Sequence, residues 1–411
     1  MKKFIALLLA ALMVFTLVAC AKEAAPAPST EKPADTATDK PADTEAPAEQ
    51  SNLEKSLALD VSGIMSTDNK PLIGDVVDKP FPERPADPAS LGEEDAGKYY
   101  DMEYAGWDSV KSDKLPESPA DGSIGKELVV IVHGAHPWTT AYTNGVSKAA
   151  EAYGMTVKVL DPNWDVNVQN QMIDQAINEQ PDAIALIPIN TESAVQQFRK
   201  ITDAGIPAFG SNLLTTSEAM NYMIAWTGPD DWAQMRELAR LMADDMGKKG
   251  GVAYLTHNPG GSAYFARMYG PRTELTTYAP DIKTLDAQSP GFDAPKCKQV
   301  VSDWITRFGD ELTAIFCADD SAQLTGAVDA CKEAGREDIL IYAAGNSKLG
   351  QDMVKAGSAK AINYQSAEHD GSAVVTAMAN WFNGKEVPAM GYLVPEMITA
   401  ENVDSFYPCQ W

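Results

Sequence analysis

The sequence predicts an α/β protein built on two open parallel sheets. Short apolar runs rich in valine, isoleucine and alanine alternate with amphipathic stretches of helical length. The connections between them are short, which favours parallel strands joined by right-handed crossovers. The alternation begins anew near Val252, so we expect two similar sheets, one after the other along the chain.

Composition indicates a folded protein and argues against some classes of partner. The chain has 411 residues, 45% of them hydrophobic, which is enough for two domains. Its formal charge of -25 argues against nucleic acid or an anionic membrane surface as the main partner, because both attract clustered lysine and arginine. No window beyond the N-terminus is long and apolar enough to span a bilayer.

Residues 1–19 have the features of a secretory signal peptide. Met1–Lys3 carries positive charge, and Phe4–Val18 is a short apolar core. Leu17–Cys20 resembles the lipobox of bacterial lipoproteins, which implies that Cys20 carries the lipid, palmitate included, and becomes the first mature residue. An ordinary signal peptide that contains a cysteine is the alternative. We therefore expect an extracytoplasmic protein that meets the cell membrane only through this lipid anchor.

Two segments separate the anchor from the main body. Residues 20–50 are mostly Ala, Pro, Thr, Asp, Glu and Lys without periodicity. Such a segment cannot bury enough surface to offset its ordering entropy, so we expect a disordered lipoprotein tether. In residues 51–125 apolar residues return, but Pro and Asp interrupt every run. This predicts a partly ordered N-terminal extension whose role the sequence leaves open.

Lys126–Asp161 is the first complete strand–helix–strand unit. Leu128–Val132 is an unbroken apolar run, which predicts a strand buried on both faces. The loop HGAHPW follows, where Pro137 interrupts the pattern. Thr139–Tyr153 then predicts a helix with one apolar face, and Met155–Leu160 predicts a second strand.

The same pattern continues to Phe382 and defines the remaining elements. Strands are predicted at Ala183–Ile187, Ile206–Gly210, Tyr222–Ala225, Val252–Thr256, Ile282–Leu285, Ala314–Cys317, Ile339–Ala343 and Ala361–Tyr364. Helices are predicted at Val166–Asn178, Thr191–Ala204, Asp230–Met246, Ser262–Tyr278, Pro295–Phe308, Ser321–Ala334, Leu349–Lys355 and His369–Phe382.

Ligands of open parallel sheets bind outside the carboxyl ends of the strands, so the residues just after each strand are the candidates. They are His133–Trp138, Asp161, Ser211, Asn212, His257–Ser262, Ser289–Phe292, Ala318–Asp320, Gly345, Asn346 and Gln365. Short polar side chains dominate this set, joined by the aromatic rings of Trp138 and Phe292. Flat rings with carboxylates and amides around them suit a hydroxyl-rich, weakly charged solute.

From Lys126 onward the chain resembles the solute-binding lipoproteins of bacterial sugar ABC importers, of the ribose- and galactose-binding type. The matching segments are VVIVHGAHPWTTAYTNGVSKAAEAYG, DAIALIPINTESAVQQFRKITDAGIPAFGSN, GGSAYFAR, AIFCADDSAQLTGAV and AINYQSAEHDGSAV. The resemblance implies the type I periplasmic-binding fold, with two Rossmann-like lobes joined by a three-crossing hinge.

The resemblance also implies the lobe boundaries. The first lobe would comprise residues 126–228 and 366–392, and the second residues 229–365 and 393–411. Hinge crossings are expected near Thr227–Pro229, Gln365 and Met390–Leu393. The lobes would close on the solute between Trp138 and Phe292.

The same resemblance supplies a solute pocket. Carried over by position, the ligand-binding residues are His136, Trp138, Asn212, Arg267, Phe292, Asp319, Asn346 and Gln365. Trp138 and Phe292 would stack on the solute, and Arg267 would grip its oxygens with a planar fork. Leu213 stands where the relatives have an arginine, and Asn346 is the nearest substitute for a missing aspartate. These departures leave the identity of the sugar or polyol open.

The implied function is solute capture for an ABC transporter permease by a monomer without cofactors. A receptor that presents the loaded form to a sensor kinase or chemoreceptor has the same sequence features. A cytoplasmic repressor of the same sensor fold would need an N-terminal helix-turn-helix, where this chain has a lipobox and a Pro-rich tether.

The sequence supports an enzyme or a metal site less well than it supports a solute-binding protein. Ser262 lies near His257 in sequence, but no G-x-S-x-G surrounds it, and the glycine-rich loop lacks the Lys-Ser/Thr of a P-loop. His133 and His136 lack a third zinc ligand at suitable spacing. We therefore expect no enzyme and no metal site.

Two further sets of residues are an acidic pair and the four cysteines of the main body. In the Asp319–Asp320 pair, one carboxylate is expected to face the pocket and the other to cap the next helix. Cys297, Cys317, Cys331 and Cys409 allow three pairings, among which the sequence does not choose.

Overall fold

The computed structural model describes residues 50–77 and 110–411. The predicted signal peptide, the lipid anchor at Cys20 and most of the tether lie outside the described residues. Within the described ranges, no helix combines the length and the apolarity needed to cross a bilayer. Helix α1 spans Asn52–Leu57 and begins with a capping box formed by Ser51 and Glu54.

The first lobe is built on a six-stranded sheet in the order β11-β5-β4-β3-β1-β2, and all of its neighbouring strands are parallel. Its strands are β1 Glu127–Ile131, β2 Thr156–Leu160, β3 Ala183–Leu186, β4 Ala208–Ser211, β5 Ala225–Pro229 and β11 Met390–Leu393. Its helices are α2 Pro137–Ala152, α3 Val166–Glu179, α4 Thr191–Asp203, α5 Ser217–Met220 and α11 Ala367–Phe382.

The second lobe repeats this architecture in the order β12-β10-β9-β8-β6-β7, with β12 antiparallel at one edge. Its strands are β6 Lys249–Leu255, β7 Asp281–Gln288, β8 Leu312–Cys317, β9 Leu340–Ala343, β10 Ala361–Tyr364 and β12 Glu396–Thr399. Its helices are α6 Asp231–Asp245, α7 Ser262–Tyr278, α8 Ala294–Phe308, α9 Ala322–Ala334 and α10 Lys348–Lys355, with 3-10 turns at Gly309–Glu311 and Val403–Phe406.

Each sheet is buried on both faces because successive side chains of a strand point in opposite directions. In β1, Leu128 and Val130 pack in the cluster that contains α2 and α11. Val129 and Ile131 pack in the opposite cluster with α3 and α4. Each fully buried side chain of this kind contributes about 1.5–3 kcal/mol, so the apolar runs hold both helical layers onto the sheet.

The chain crosses between the two sheets three times. The first crossing leads from β5 to α6, the second from β10 to α11, and the third from β11 to β12. Residues 230, 365–366 and 394–395 are the connecting segments. The carboxyl ends of the strands of both sheets therefore face a common cleft.

One predicted strand is wrong. Tyr222–Ala225 was expected to form a strand, but residues 221–224 are a turn and loop, and β5 begins only at Ala225. Met223 is nonetheless fully buried. The Nζ atom of Lys111 binds the carbonyl oxygens of residues 220, 223 and 224, and the backbone N–H of Ile224 donates to Ala208 of β4, so this stretch is held without extending the strand. Burial lowers the pKa of Lys111 to about 8.

Pro137 also differs from expectation, since it begins a helix. It is the first residue of α2, and His136 is the N-cap. Proline suits this position because the first helical N–H has no partner within the helix.

Residues 64–77 form a segment, here called the strap, that contacts both lobes. Lys70 binds Glu396 in the second lobe at 3.2 Å and lies over the ring of Phe406. On the first lobe, Val77 exchanges two backbone hydrogen bonds with Tyr392. The part of the N-terminal extension nearest the hinge is therefore ordered by long-range contacts.

Candidate functional site

A cavity of about 70 Å³ lies between the lobes at the carboxyl ends of the strands. It is lined by His133, His136, Trp138, Trp164, Asn212, Leu213, His257, Ala263, Arg267, Phe292, Asp319, Ala344, Gly345, Gln365 and Trp411. Since one water needs roughly 10–15 Å³ on this measure, the space suits a small solute.

The first-lobe wall is aromatic. Trp138 is buried in the first turn of α2 and stacks on Tyr142 at 5.2 Å between ring centroids. The ring of His133 lies 4.4 Å from that of Trp164. Gly134 permits this packing, because a Cβ atom there would collide with the Trp164 indole. The loop therefore needs glycine to place two indoles around one histidine.

His136 is oriented by its capping role. Its Nδ1 accepts a hydrogen bond from the backbone N–H of Trp138 at 3.1 Å, so the neutral ring carries its proton on Nε2. The ring lies 6.2 Å from that of Phe292 in the second lobe. Burial lowers the pKa of His136, although Asp319 opposes this effect.

The other two cavity histidines are neutral as well. Burial lowers the pKa of His133 to about 3 and that of His257 to about 3. The ring of His257 makes an edge contact with Phe292 at 4.9 Å. At neutral pH the histidines therefore add hydrogen-bonding groups to the cavity without adding charge.

Arg267, on α7, is fixed in the second-lobe wall. Its guanidinium donates to the carbonyl oxygen of Ala318 at 2.9 Å and to Oε1 of Gln365 at 2.8 Å, and it pairs with Asp231 at 3.3 Å. Gln365 lies in the second crossing between the lobes. The arginine is therefore held by the elements that join the lobes.

Asn212, also in the first lobe, lines the cavity. It adopts a left-handed backbone conformation with φ of 56°, which asparagine tolerates better than most residues. Its Nδ2 donates to Asp370 at 2.6 Å, so Oδ1 is the atom left for a solute. Asp370 is fully buried, and burial raises its pKa well above the usual range.

Four polar hydrogen-bonding atoms on lining residues are buried without a partner among the described residues: Trp138 Nε1, His133 Nδ1, Arg267 Nε and Trp411 Nε1. Buried polar groups are nearly always hydrogen-bonded, because an unpaired one costs about 1–3 kcal/mol. These four atoms are available to bind a polar occupant of the cavity.

The structure brings seven of the eight predicted ligand-binding residues to this cavity: His136, Trp138, Asn212, Arg267, Phe292, Asp319 and Gln365. Asn346 is buried but is not a lining residue, and its backbone carbonyl accepts from Gln351. The main chain at Gly345 lines the cavity at this point instead.

The expected division of roles between Asp319 and Asp320 is wrong. Asp319 lines the cavity and also caps α9, accepting from the backbone N–H groups of Ser321 and Gln323 at 3.2 and 3.1 Å. Asp320 is fully buried behind it and accepts from the backbone of Ser347 at 2.7 Å. Burial raises the pKa of Asp320 well above the usual range.

Trp164 and Trp411 line the cavity but were not predicted. Trp164 follows β2 only after several residues and has φ of 65°, which a pattern of strand ends does not reveal. Trp411 lies far beyond the last predicted helix. An exposed tryptophan in a polar loop was the available signal for Trp164, and a lone tryptophan after Pro408 was the signal for Trp411.

The residues considered for other chemistries have the following surroundings. No group of three or more His, Cys, Asp or Glu side chains within residues 50–77 and 110–411 could hold a metal ion. Ser262 uses its hydroxyl oxygen to accept from the backbone N–H of Leu214 at 2.9 Å. Cys297, Cys317, Cys331 and Cys409 are free thiols, so none of the three pairings forms.

Direct hydrogen bonds between the start of α7 and the first lobe lie beside the cavity. Besides the bond between Ser262 and Leu214, the carbonyl of Gly260 accepts from the backbone of Thr191 at 3.2 Å. Gly260 and Ser262 precede or begin α7, whereas Thr191 and Leu214 belong to the first lobe. The lobes are therefore in contact, and the cavity is largely enclosed.

Comparisons with known proteins agree with this architecture. The family described as periplasmic binding protein domain matches residues 124–386. A xylitol-binding protein of Mycolicibacterium smegmatis is 29% identical over 287 residues, covering 69% of this chain and 80% of that protein. The ribose import binding protein of Bacillus subtilis is 24% identical over 252 residues, covering 61% and 80%.

A solved structure is similar in the same region. An ABC transporter solute binding protein from Bacillus halodurans with bound myo-inositol has a TM-score of 0.64 at 21% identity, covering 70% of this chain and 99% of that chain. This similarity confirms the predicted α/β fold of two lobes with parallel sheets.

Proposed function

This chain belongs to the periplasmic binding protein family, and we propose that it captures an uncharged sugar or polyol between its two lobes outside the cytoplasm. Like its relatives, the chain is a binding protein and not an enzyme. The proposal is supported chiefly by the unpartnered polar atoms of Trp138, His133 and Arg267 around an enclosed cavity.

The charge of the cavity favours a neutral solute. Arg267 pairs with Asp231, Asp319 lines the same cavity, and burial keeps His133 and His257 neutral. An anionic solute would bring a further negative charge into a buried space that already holds these carboxylates, which is costly. Xylitol, ribose and myo-inositol, named for three of the relatives, are all uncharged and rich in hydroxyl groups.

The lining residues have complementary roles in this proposal. Trp138 and Phe292 pack against C–H faces of the solute, while Arg267 and Asn212 bind its oxygens. His136, Asp319 and Gln365 bind the remaining hydroxyls, each of which both donates and accepts. Both walls are needed, because a solute closes the cleft only if it binds the closed state better than the open one.

The proposed lobes are residues 126–228 with 366–392 and residues 229–365 with 393–411, moving about the three crossings. The loaded monomer docks on an ABC transporter permease, and lipidated Cys20 with the tether of residues 20–50 keeps it at the membrane. A receptor role toward a sensor kinase or chemoreceptor is the second candidate, since the cleft would serve it equally.

A thermal-shift panel tests solute capture. Neutral pentoses, hexoses, pentitols and inositols are compared with sugar phosphates, uronates and amino acids on the purified protein. A bound solute at a hundred times its Kd adds about 2.7 kcal/mol to stability, which raises Tm by roughly 5 °C. A panel in which no neutral polyhydroxy compound raises Tm contradicts the proposal.

Uptake in cells separates transport from sensing. If the protein is part of an importer, cells that lack its gene are expected to lose uptake of the labelled solute. Uptake that persists while the cells lose their transcriptional or chemotactic response to the solute favours the receptor instead.

A further inference from the structure

Trp411 bridges the two lobes at the edge of the cavity. Its carbonyl oxygen accepts from the backbone N–H of Lys348, the first residue of α10 in the second lobe, at 2.7 Å. Its ring lies 5.5 Å from that of His136 and packs against the core of the first lobe. Trp411 is therefore fixed to the second lobe by its main chain and contacts the first lobe through its ring.

The same ring separates two spaces. Trp411 and His136 line the enclosed cavity on one side and a groove of about 1010 Å³ on the other. The groove runs past Pro137 and Asp161 on the outside of the first lobe. Removal of the Trp411 ring would therefore join the small cavity to a much larger space.

Gln410 fixes the position of Trp411. Its Nε2 donates to Ser366 Oγ at 2.8 Å and to Asp68 Oδ1 at 3.0 Å, and its Oε1 accepts from the backbone N–H of Glu368 at 3.1 Å. Ser366 is the N-cap of α11, directly at the second crossing between the lobes. The segment that carries Trp411 is thus attached to the hinge.

The strap supports this attachment from outside. Asp68 is buried and accepts from the hydroxyl of Tyr364 at 2.6 Å as well as from Gln410. Its neighbour Thr67 donates to the buried carboxylate of Glu368 through both its backbone N–H and its hydroxyl, each at 2.6 Å. The strap therefore holds the hinge strand, the start of α11 and Gln410 together.

We propose that Trp411 is a third wall of the solute cleft that sets an upper limit on solute size, and that Gln410 and Asp68 are its positioning residues. This inference rests on the proposed function. The ring packs on the solute, its Nε1 donates to a hydroxyl, and its bulk closes the cavity toward the outer groove. Part of solute recognition thereby depends on the N-terminal strap, far from the pocket in sequence.

Titration calorimetry on the intact protein tests the inference with the best neutral monosaccharide or polyol of the thermal-shift panel and with maltose, lactose and cellobiose. Trp411→Ala is expected to weaken binding of the small solute about tenfold, the loss of one aromatic contact with its hydrogen bond, and to bind at least one disaccharide measurably. Trp411→Phe is expected to weaken the small solute about threefold and still exclude disaccharides.

The positioning role has its own matched pair. Asp68→Ala is expected to lower affinity for the small solute about threefold, whereas Asp75→Ala removes an exposed strap carboxylate that does not contact Gln410 and is expected to change it less than twofold. Asp68→Asn keeps the length of the side chain and an oxygen that accepts from Gln410, but not the charge. It is expected to recover most of the affinity that Asp68→Ala loses.

The outcomes distinguish the inference from the proposed function. If the unaltered protein binds no neutral solute, the function fails. If it binds one, and Trp411→Ala leaves both affinity and size limit unchanged, the third wall alone is wrong. Should Trp411→Ala fail to fold, unchanged affinity in Trp411→Phe and in Asp68→Ala would overturn the inference equally.

Discussion

The two walls of the cavity differ in how their polar atoms are satisfied. In the first lobe, Trp138 Nε1 and His133 Nδ1 are buried with no partner among the described residues. In the second lobe, Arg267 Nε and Trp411 Nε1 are unpartnered in the same way, but the Arg267 guanidinium makes three bonds to the protein, and Asp319 caps a helix. The first wall thus keeps its hydrogen-bonding capacity for a solute, whereas the second has most of its groups already oriented. Changes in the first wall should affect binding more than folding, and changes in the second should affect both.

The largest effect is expected from Arg267→Ala. This change leaves Asp231 buried without its cation and Gln365 without its donor, so urea unfolding should show a loss of about 2–3 kcal/mol. Solute affinity should fall about a hundredfold by calorimetry. Arg240→Ala removes an exposed arginine that pairs with Glu274 and should cost under about 0.5 kcal/mol without changing affinity. Equal behaviour of the two variants would remove the distinction between the walls.

The second-largest effect is the pH dependence of stability that His133 in the first wall causes. Burial depresses the pKa of His133 to about 3, so unfolding at mildly acidic pH is accompanied by proton uptake at this residue. Its contribution to stability is complete above pH 6.5 and is lost as the pH falls toward 3. Between pH 7.5 and 5 the loss approaches about 2 kcal/mol, at roughly 1.4 kcal/mol per pH unit below 6.5. Urea unfolding of His133→Asn should show a drop smaller by this amount, and an identical drop would contradict the buried neutral histidine.

Trp138→Phe and Trp304→Phe form a matched pair with opposite expectations. Trp138 loses an indole N–H that has no partner within residues 50–77 and 110–411, so solute affinity should fall about tenfold while the unliganded protein keeps its stability within about 1 kcal/mol. Trp304 donates to Asp286 at 2.9 Å, far from the cavity lining, so its replacement should cost about 1–3 kcal/mol and leave affinity unchanged. Calorimetry gives the solute affinity of both variants, and urea unfolding gives their stability. A loss of stability in Trp138→Phe alone would contradict the expected contrast between the two tryptophans.

The smallest effect is expected at the contact between the lobes. Ser262→Ala removes the acceptor for the Leu214 N–H, which weakens the closed state and should speed solute release about threefold in stopped-flow measurements. Ser147→Ala removes a hydroxyl that bonds only within α2 and should leave release unchanged. A slower release in Ser262→Ala would mean that this bond does not hold the lobes closed.

Local patterns in the sequence were sufficient for most of the fold and for much of the site. Runs such as Leu128–Val132 marked buried strands because burial on both faces leaves no polar positions. The residues that follow these strands included His136 and Trp138 in the first lobe and Asp319 in the second, because parallel strands deliver their carboxyl ends to one edge.

What sequence reasoning missed depends on contacts between distant segments. The apolar residues 222–224 read as a strand, but Lys111 satisfies their carbonyls from far upstream. Trp411 reaches the cavity only because Gln410 binds the hinge and the strap. No local periodicity records such pairings, and the strands β11 and β12 beside the third crossing were not predicted either.

The strap also bears on the order of assembly. Thr67 and its partner Glu368 are 301 positions apart in the sequence, and Asp68 and Gln410 are 342 apart. Contacts of such sequence separation form late, because the chain between their ends must first become compact. The strap is made before either lobe and can dock only after both have folded, so a solute-competent cleft is the last part of this molecule to mature.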